Sequence, residues 1–341
     1  MSRRSVFTDW TAFFHFTNQF KENSVSTVLE NNNDTQNVQT QLAARRMRAS
    51  MAAIKVVFTW LGTTKTLSTD QKTVAADVFG ADEASISASK RLLDPKHPAL
   101  AAVTKIKGRV TKFWKDNSLP FPEGGIRLIR HDQISEFDDT LNGFREELDA
   151  AVMELEQHYD EMRSAARERL GSLFNASDYP TTLIGAFGIE HCFPAVEAPE
   201  YLRQLNPEVY QQECDRVQVR FTAAVEQAEQ MFFEQLSGLV DHLVERMSGT
   251  DDGKPKTFRD TTVENLNEFF ARFRQLNIGG NADLEELVER AESIVSGVQP
   301  QQLRDNASLR QHLATQMSTV QASLDGLLVD RPRRNIQRRP R

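Results

Sequence analysis

Between Ile134 and Leu173 apolar residues recur every three or four positions without a break: Ile134, Phe137, Leu141, Phe144, Leu148, Val152, Leu155, Tyr159, Met162, Ala166, Leu170 and Leu173. A mean step near 3.5 residues places them in one stripe along a helix, close to a coiled-coil seam. At 1.5 Å per residue this helix is about 60 Å long. A second run of the same kind begins at "NPEVYQQECDRV". Asn206 suits the N-cap, Pro207 the first helical position and Glu208 the positive end of the helix dipole. Its stripe continues through Val217, Phe221, Val225, Ala228, Phe232, Leu239, Leu243 and Met247, up to "SGTDDGKPK". Two amphipathic helices of matched length predict an antiparallel hairpin.

The other segments are read around that hairpin. The connector over 175–206 holds Phe187, Ile189, Phe193 and Tyr201, too apolar for a linker, and is expected to fold as a cap. Helices are predicted over 35–62, over 98–116 with Val103, Ile106, Val110, Phe113 and Trp114 on its apolar face, and near 282–297 and 306–328. Thr261 and Glu264 have capping-box spacing at the start of another. "SLPFPEGGIRLI" marks a turn and a short extended run near 120–130, the one β-like piece. The expected fold class is thus all-α and elongated: a long antiparallel, coiled-coil-like hairpin packed by shorter helices. The expected regions are a basic 1–130, an acidic hairpin over 131–250, C-terminal helices over 258–330 and a disordered tail over 331–341. No internal repeat is visible.

Charge divides unevenly along the chain. Residues 1–130 carry 19 Lys/Arg against 11 Asp/Glu, residues 131–175 carry 4 against 12, and the tail "RPRRNIQRRPR" adds six arginines to a chain whose net charge is −7. Such asymmetry points to polyanion contact or to assembly between unlike surfaces. No apolar run is long enough to span a bilayer. The N-terminal segment opens with Arg3 and Arg4, but Asp9, His15 and Asn18 break its apolar run, so a secretory signal is not expected. Its Phe7, Trp10, Phe13 and Phe14 are expected to dock on the protein rather than on lipid. Two cysteines, Cys192 and Cys214, make no disulfide framework, and the expected location is the reducing cytoplasm.

Catalytic chemistry is not evident. "GTTKT" at Gly62–Thr66 echoes a phosphate-binding loop but lacks its first glycine and its Gly-Lys pair. No pair of Glu-x-x-His motifs exists to build a di-iron bundle; His242 and Glu245 alone cannot fill a coordination shell, and His158 reads as a seam-edge residue. His191–Cys192 is the most reactive-looking pair, weighed against Cys192 as a small buried hydrophobe. Glu136, Asp138 and Asp139 read as the solvated side of the long helix. No cofactor, metal or small-molecule substrate is expected.

The candidate contact residues are basic. Lys105, Arg109 and Lys112 share the face of the 98–116 helix opposite its apolar stripe, with Lys90, Arg91, Lys96, Arg45, Arg46 and Arg48 as further cations. The tail contributes Arg331, Arg333, Arg334, Arg338, Arg339 and Arg341. These residues either meet phosphates or an acidic partner surface, or serve as a solvated face paired with acids of the hairpin.

The succession "TWLGTTKTL", "SASKRLLDPKHPAL", "LPFPEGGIRLI" and "FDDTLNGFREELDAAVMELEQHYD", from about Ile54 to Tyr159, resembles an uncharacterised helical family of phages and bacteria. Its members are often encoded beside MoxR-type AAA+ ATPases. The resemblance covers about a third of the chain and implies a ring ATPase as partner, with a von Willebrand-type adaptor; it carries over no active-site residue. The expected function is a non-enzymatic adaptor or structural subunit acting by protein–protein contact, with that ATPase or with its own copies. The second reading is a nucleic-acid-binding protein using the basic N-terminal region and the arginine tail.

Overall fold

The computed structural model describes residues 37–247 and 261–330. The tail arginines and the N-terminal aromatic segment lie outside the described residues. In order, the elements are α1 (37–50), β1 (Met51–Trp60), β2 (Thr64–Thr66), α2 (Thr69–Phe79), β3 (Ser89–Arg91), α3 (Pro98–Asp116), β4 (Leu119–Pro120), β5 (Ile126–Arg130), α4 (Ile134–Gln157), α5 (Tyr159–Leu170) and β6 (Phe187–Cys192). There follow α6 (Tyr201–Leu205), α7 (Pro207–Met247), α8 (Thr261–Leu276), α9 (Ala282–Val295), α10 (Pro300–Asp305) and α11 (Ala307–Asp330). Contacts divide the chain into two compact units: residues 50–197, and residues 37–49 with the described residues from 198 onward.

The expected all-α architecture is overturned by the first unit. The helix predicted over 35–62 stops at residue 50, and the chain passes directly into a ten-residue strand. The cause lies in "MAAIKVVFTW". Val56, Val57, Phe58, Thr59 and Trp60 are β-branched or aromatic and suit a pleated surface better than a helix. Ile54, Val56, Phe58 and Trp60 alternate onto one face and join the core. The extended run near 120–130 is more than a turn. It supplies β4 and β5 to a four-stranded sheet of order β4-β5-β1-β6, and β1 pairs antiparallel with both β5 and β6. β2 and β3 form a second, two-stranded ribbon.

The long hairpin is corrected as well. The stripe from Ile134 is interrupted at His158, which ends α4 and precedes α5. α4 packs against α3 and β6 within the first unit, whereas α7 packs against α8, α9 and α11 within the second. A helical stripe dictates that one face is covered; it does not dictate by what. For α4 the cover is a helix and a sheet: Phe137, Leu141, Leu148 and Val152 share one core with Val103, Val110, Ile54 and Ile189. The connector is not a cap on a hairpin. It contributes β6, whose Phe187 and Ile189 are buried, while Phe193 and Tyr201 are 45% and 64% exposed.

In the second unit α7 runs unbroken for 41 residues from Pro207, with Asn206 Oδ1 accepting from the Val209 amide at 3.2 Å. Its buried positions begin at Val217 and include Phe221, Phe232 and Phe233. Phe232 meets Phe269 and Phe273 of α8, with the Phe232 and Phe273 rings edge-to-face at 5.0 Å. The turn "NIGGN" before α9 comes close to α1 and α7, because a Cβ built on Gly280 would lie 3.2 Å from both Ala43 Cβ and Val225 Cγ1. Among the described residues no helix is long and apolar enough to cross a membrane.

Candidate interaction surface

The predicted basic face of α3 is present on an exposed surface. Val103, Ile106 and Val110 are buried, which turns Lys105, Arg109 and Lys112 outward. Two of the three already meet carboxylates. Arg109 forks onto Glu147 of α4, with one arm at 3.3 Å, and its guanidinium carbon lies 5.0 Å from the Phe144 ring centroid. Lys112 Nζ lies 2.6 Å from Asp116, one turn along α3. Lys105 has no side-chain partner among the described residues. Lys107, on the flank of the same helix, covers the Trp60 ring at 4.5 Å, a cation–π contact that also shields the edge of the core.

His191 and Cys192 do not form a reactive pair. They are neighbours on β6, so their side chains leave opposite faces of the sheet. His191 pairs in register with Val56 on the core face; Cys192 pairs with Lys55 on the other and is exposed, not the buried hydrophobe of the bland reading. The imidazole, 7% exposed, lies between two α4 side chains. Nε2 is 2.8 Å from Asp138 Oδ1, and Nδ1 is 2.8 Å from an Arg145 nitrogen. Arg145 also donates to the Ile189 carbonyl at 2.8 Å and to Asn142 Oδ1 at 2.6 Å, and Asn142 donates to Asp138 Oδ2 at 3.1 Å. Asp138 is therefore tied to the sheet rather than only solvated, while Glu136 and Asp139 are exposed. Asp138, Asn142 and Arg145 lie one helical turn apart in succession. That spacing was available in the sequence, but nothing local said that a strand would answer it.

Lys90 serves inside the fold. Its side chain and that of Asp178 are 5% and 2% exposed, with Nζ 2.7 Å from Oδ2 and donating to the Leu173 carbonyl at 2.6 Å. Lys65, within the phosphate-loop echo, reaches the other oxygen of Asp178 at 2.6 Å. The Lys65 ammonium, then that of Lys90, hold the Asp178 carboxyl below its usual range. In "GTTKT", Thr64–Thr66 is a strand paired with β3 rather than a loop. Among the described residues no group of three or more His, Cys, Asp or Glu is placed to hold a metal ion. His158 faces His97 at 5.3 Å between ring centroids and sits 3.3 Å from Glu154.

Among the exposed apolar side chains, two groups lie close together in sequence. α2 is well closed at both ends: Ser68 and Gln71 exchange reciprocal cap hydrogen bonds, and Gly80 takes φ of 59° to end the helix. Yet α2 buries only Ala76 and leaves Val74, Val78 and Phe79 at 65%, 75% and 79% exposure. In the second unit Tyr201, Leu205 and Val209 form an exposed row at the start of α6 and α7. Farther along α7 an open groove of about 540 Å³ is lined by Glu213, Asp215, Arg216, Val219 and Arg220, where both arginines pair with Glu213. No family model, curated protein or solved structure matches the chain.

Proposed function

We propose that this chain works by contact, as a non-enzymatic adaptor or structural subunit. The carrying observation is α2. A helix of 11 residues with a complete capping box contributes one alanine to its core and presents three large apolar side chains to water. Covering a Val or Phe side chain stabilises by about 1.5–3 kcal/mol, so a partner groove over Val74, Val78 and Phe79 offers substantial affinity from one short helix. Clustered exposure of this kind marks interaction sites. The resemblance to a family encoded beside MoxR-type AAA+ ATPases supports a ring ATPase as the class of partner.

The double substitution V78E/F79E tests the reading. Purified full-length protein, alone and with a MoxR-type ATPase, is compared with the variant by light scattering and crosslinking. Self-association or complex formation lost in the variant, with the melting temperature unchanged, supports it; identical behaviour of both proteins overturns it.

Nucleic acid is the second reading, favoured by the unpaired Lys105 on α3. Binding of a labelled oligonucleotide that weakens with salt and falls in K105E/K112E would move it ahead.

A further inference from the structure

The four-residue cluster between α4 and β6 fixes a protonation state by geometry. A guanidinium only donates, so the His191 Nδ1 that it meets at 2.8 Å must be a lone pair. The ring's one proton is then on Nε2, donated to Asp138 Oδ1. The nitrogen left to take a second proton is Nδ1, against Arg145.

We propose that His191 is a proton-operated latch on the edge strand β6. β6 ends the sheet order, so it has a ladder neighbour, β1, on one side only. Arg145 supplies a donor to the Ile189 carbonyl from α4, and His191, Asn142 and Ile189 hold the guanidinium in place. Protonation of Nδ1 replaces an acceptor with a cationic N–H facing a second cation. Arg145 withdraws, the Ile189 carbonyl loses its donor, and β6 becomes an open edge of the sort that recruits another strand. The surroundings leave the response to two groups. From α4 the charged groups facing the ring are Asp138, which favours the imidazolium, and Arg145, which opposes it. β1 places Val56 beside the ring, Glu190 and Cys192 alternate onto the other face of the sheet, and the Phe193 ring stands edge-on at 5.7 Å. A proton arriving on Nδ1 faces Arg145 directly, and that encounter opens the latch.

Nitrogen NMR of full-length protein labelled at its seven histidines reads the tautomer without any substitution. His191→Gln, which keeps a donor and an acceptor but does not titrate, assigns the signal. The expected result at about pH 8 is a neutral ring protonated on Nε2. As acid converts it to imidazolium, amide exchange over residues 188–192, corrected for intrinsic rates, rises about tenfold, the scale of one hydrogen bond from a charged donor. Exchange in α3 is unchanged. In His191→Gln the rise disappears. A proton on Nδ1 at about pH 8, or protonation without a change over 188–192, overturns the latch.

Discussion

The sheet-bearing unit and the helical unit both rest on apolar cores but differ in how deeply their ion pairs are buried. In residues 50–197 the crossings between elements carry buried or half-buried charge: Lys90 and Lys65 on Asp178, and Arg145 and Asp138 on His191. In the helical unit ring contacts and close approaches dominate the core, Phe232 against Phe269 and Phe273 and the Gly279–Gly280 turn against α1 and α7, while its α8–α9 ion pair, Arg274 with Glu292, is more exposed than Lys90 with Asp178. The lesson concerns what each unit tolerates. A polar clasp depends on protonation and on keeping both partners, whereas a ring cluster depends on volume.

The strongest way to break this contrast is to empty the ring cluster. Phe269 is 1% exposed and lies within 6.2 Å of Phe232, Phe270 and Phe273 between centroids. Phe269→Ala should cost about 3–5 kcal/mol, read by urea melts, with the loss independent of pH. Trp60 and Trp114 lie in the sheet unit, so in a Trp10→Phe background tryptophan fluorescence follows that unit alone. A coincident loss in fluorescence would show that the units unfold together.

Next in size is Asp178→Ala, which leaves Lys90 buried without its counter-charge and should cost about 3 kcal/mol. Here the pH dependence separates the units. The carboxyl is held below its ordinary value, so its contribution is complete above about pH 4 and is lost as the pH falls through the depressed folded value. Wild type and Asp178→Asn should therefore converge in stability as acid protonates the folded-state carboxyl. A constant difference would refute the clasp.

Gly280→Ala tests the helical unit more gently. The new methyl would lie 2.6 Å from Glu229 Oε1, whose carboxylate also accepts from Asn281, and 3.2 Å from the stiff Ala43 and Val225. A loss of about 1–2 kcal/mol is expected, against almost none for Gly124→Ala, whose Cβ would meet nothing within 4 Å. The smallest effect belongs to Arg109 and Glu147. Both side chains are about half exposed, so a double-mutant cycle should return a coupling below about 1 kcal/mol, falling further in salt. A larger coupling would mean that the basic face of α3 is built for α4 rather than for a partner.

The two units also differ in how far they could be read from residues alone. The bounds of α3 and the start of α7 follow from local signals, Pro98 and Pro207 among them, and both lie where those signals put them. Apolar periodicity likewise locates α8, α9 and α11. It fails at β1, where residues 54–60 satisfy a two-residue alternation that a window tuned to helices passes over. It fails again at the choice of partner for α4, because Phe137 and Leu141 require an apolar cover but are indifferent to whether a helix or a sheet provides it. The polar clasps were hidden for another reason. Asp138 and His191 lie 53 positions apart, Lys65 and Asp178 113 apart, and no local pattern joins them. The exposed apolar face of α2 was legible only once burial was known, since Val74, Val78 and Phe79 are ordinary core residues by composition.

The direct passage from α1 into β1 bears on how the protein is made. α1 belongs to the helical unit, yet the whole sheet unit is inserted between it and its partners. At ribosomal speeds of about 5–20 residues per second, Ala43 emerges on the order of ten to fifty seconds before Gly280 exists to lie against it. The sheet unit, contiguous in the chain, can fold in that interval. Nascent chains halted once residue 197 has cleared the ribosome should thus hold a finished sheet and an α1 with its apolar side still uncovered, the state in which a chaperone has the most to bind.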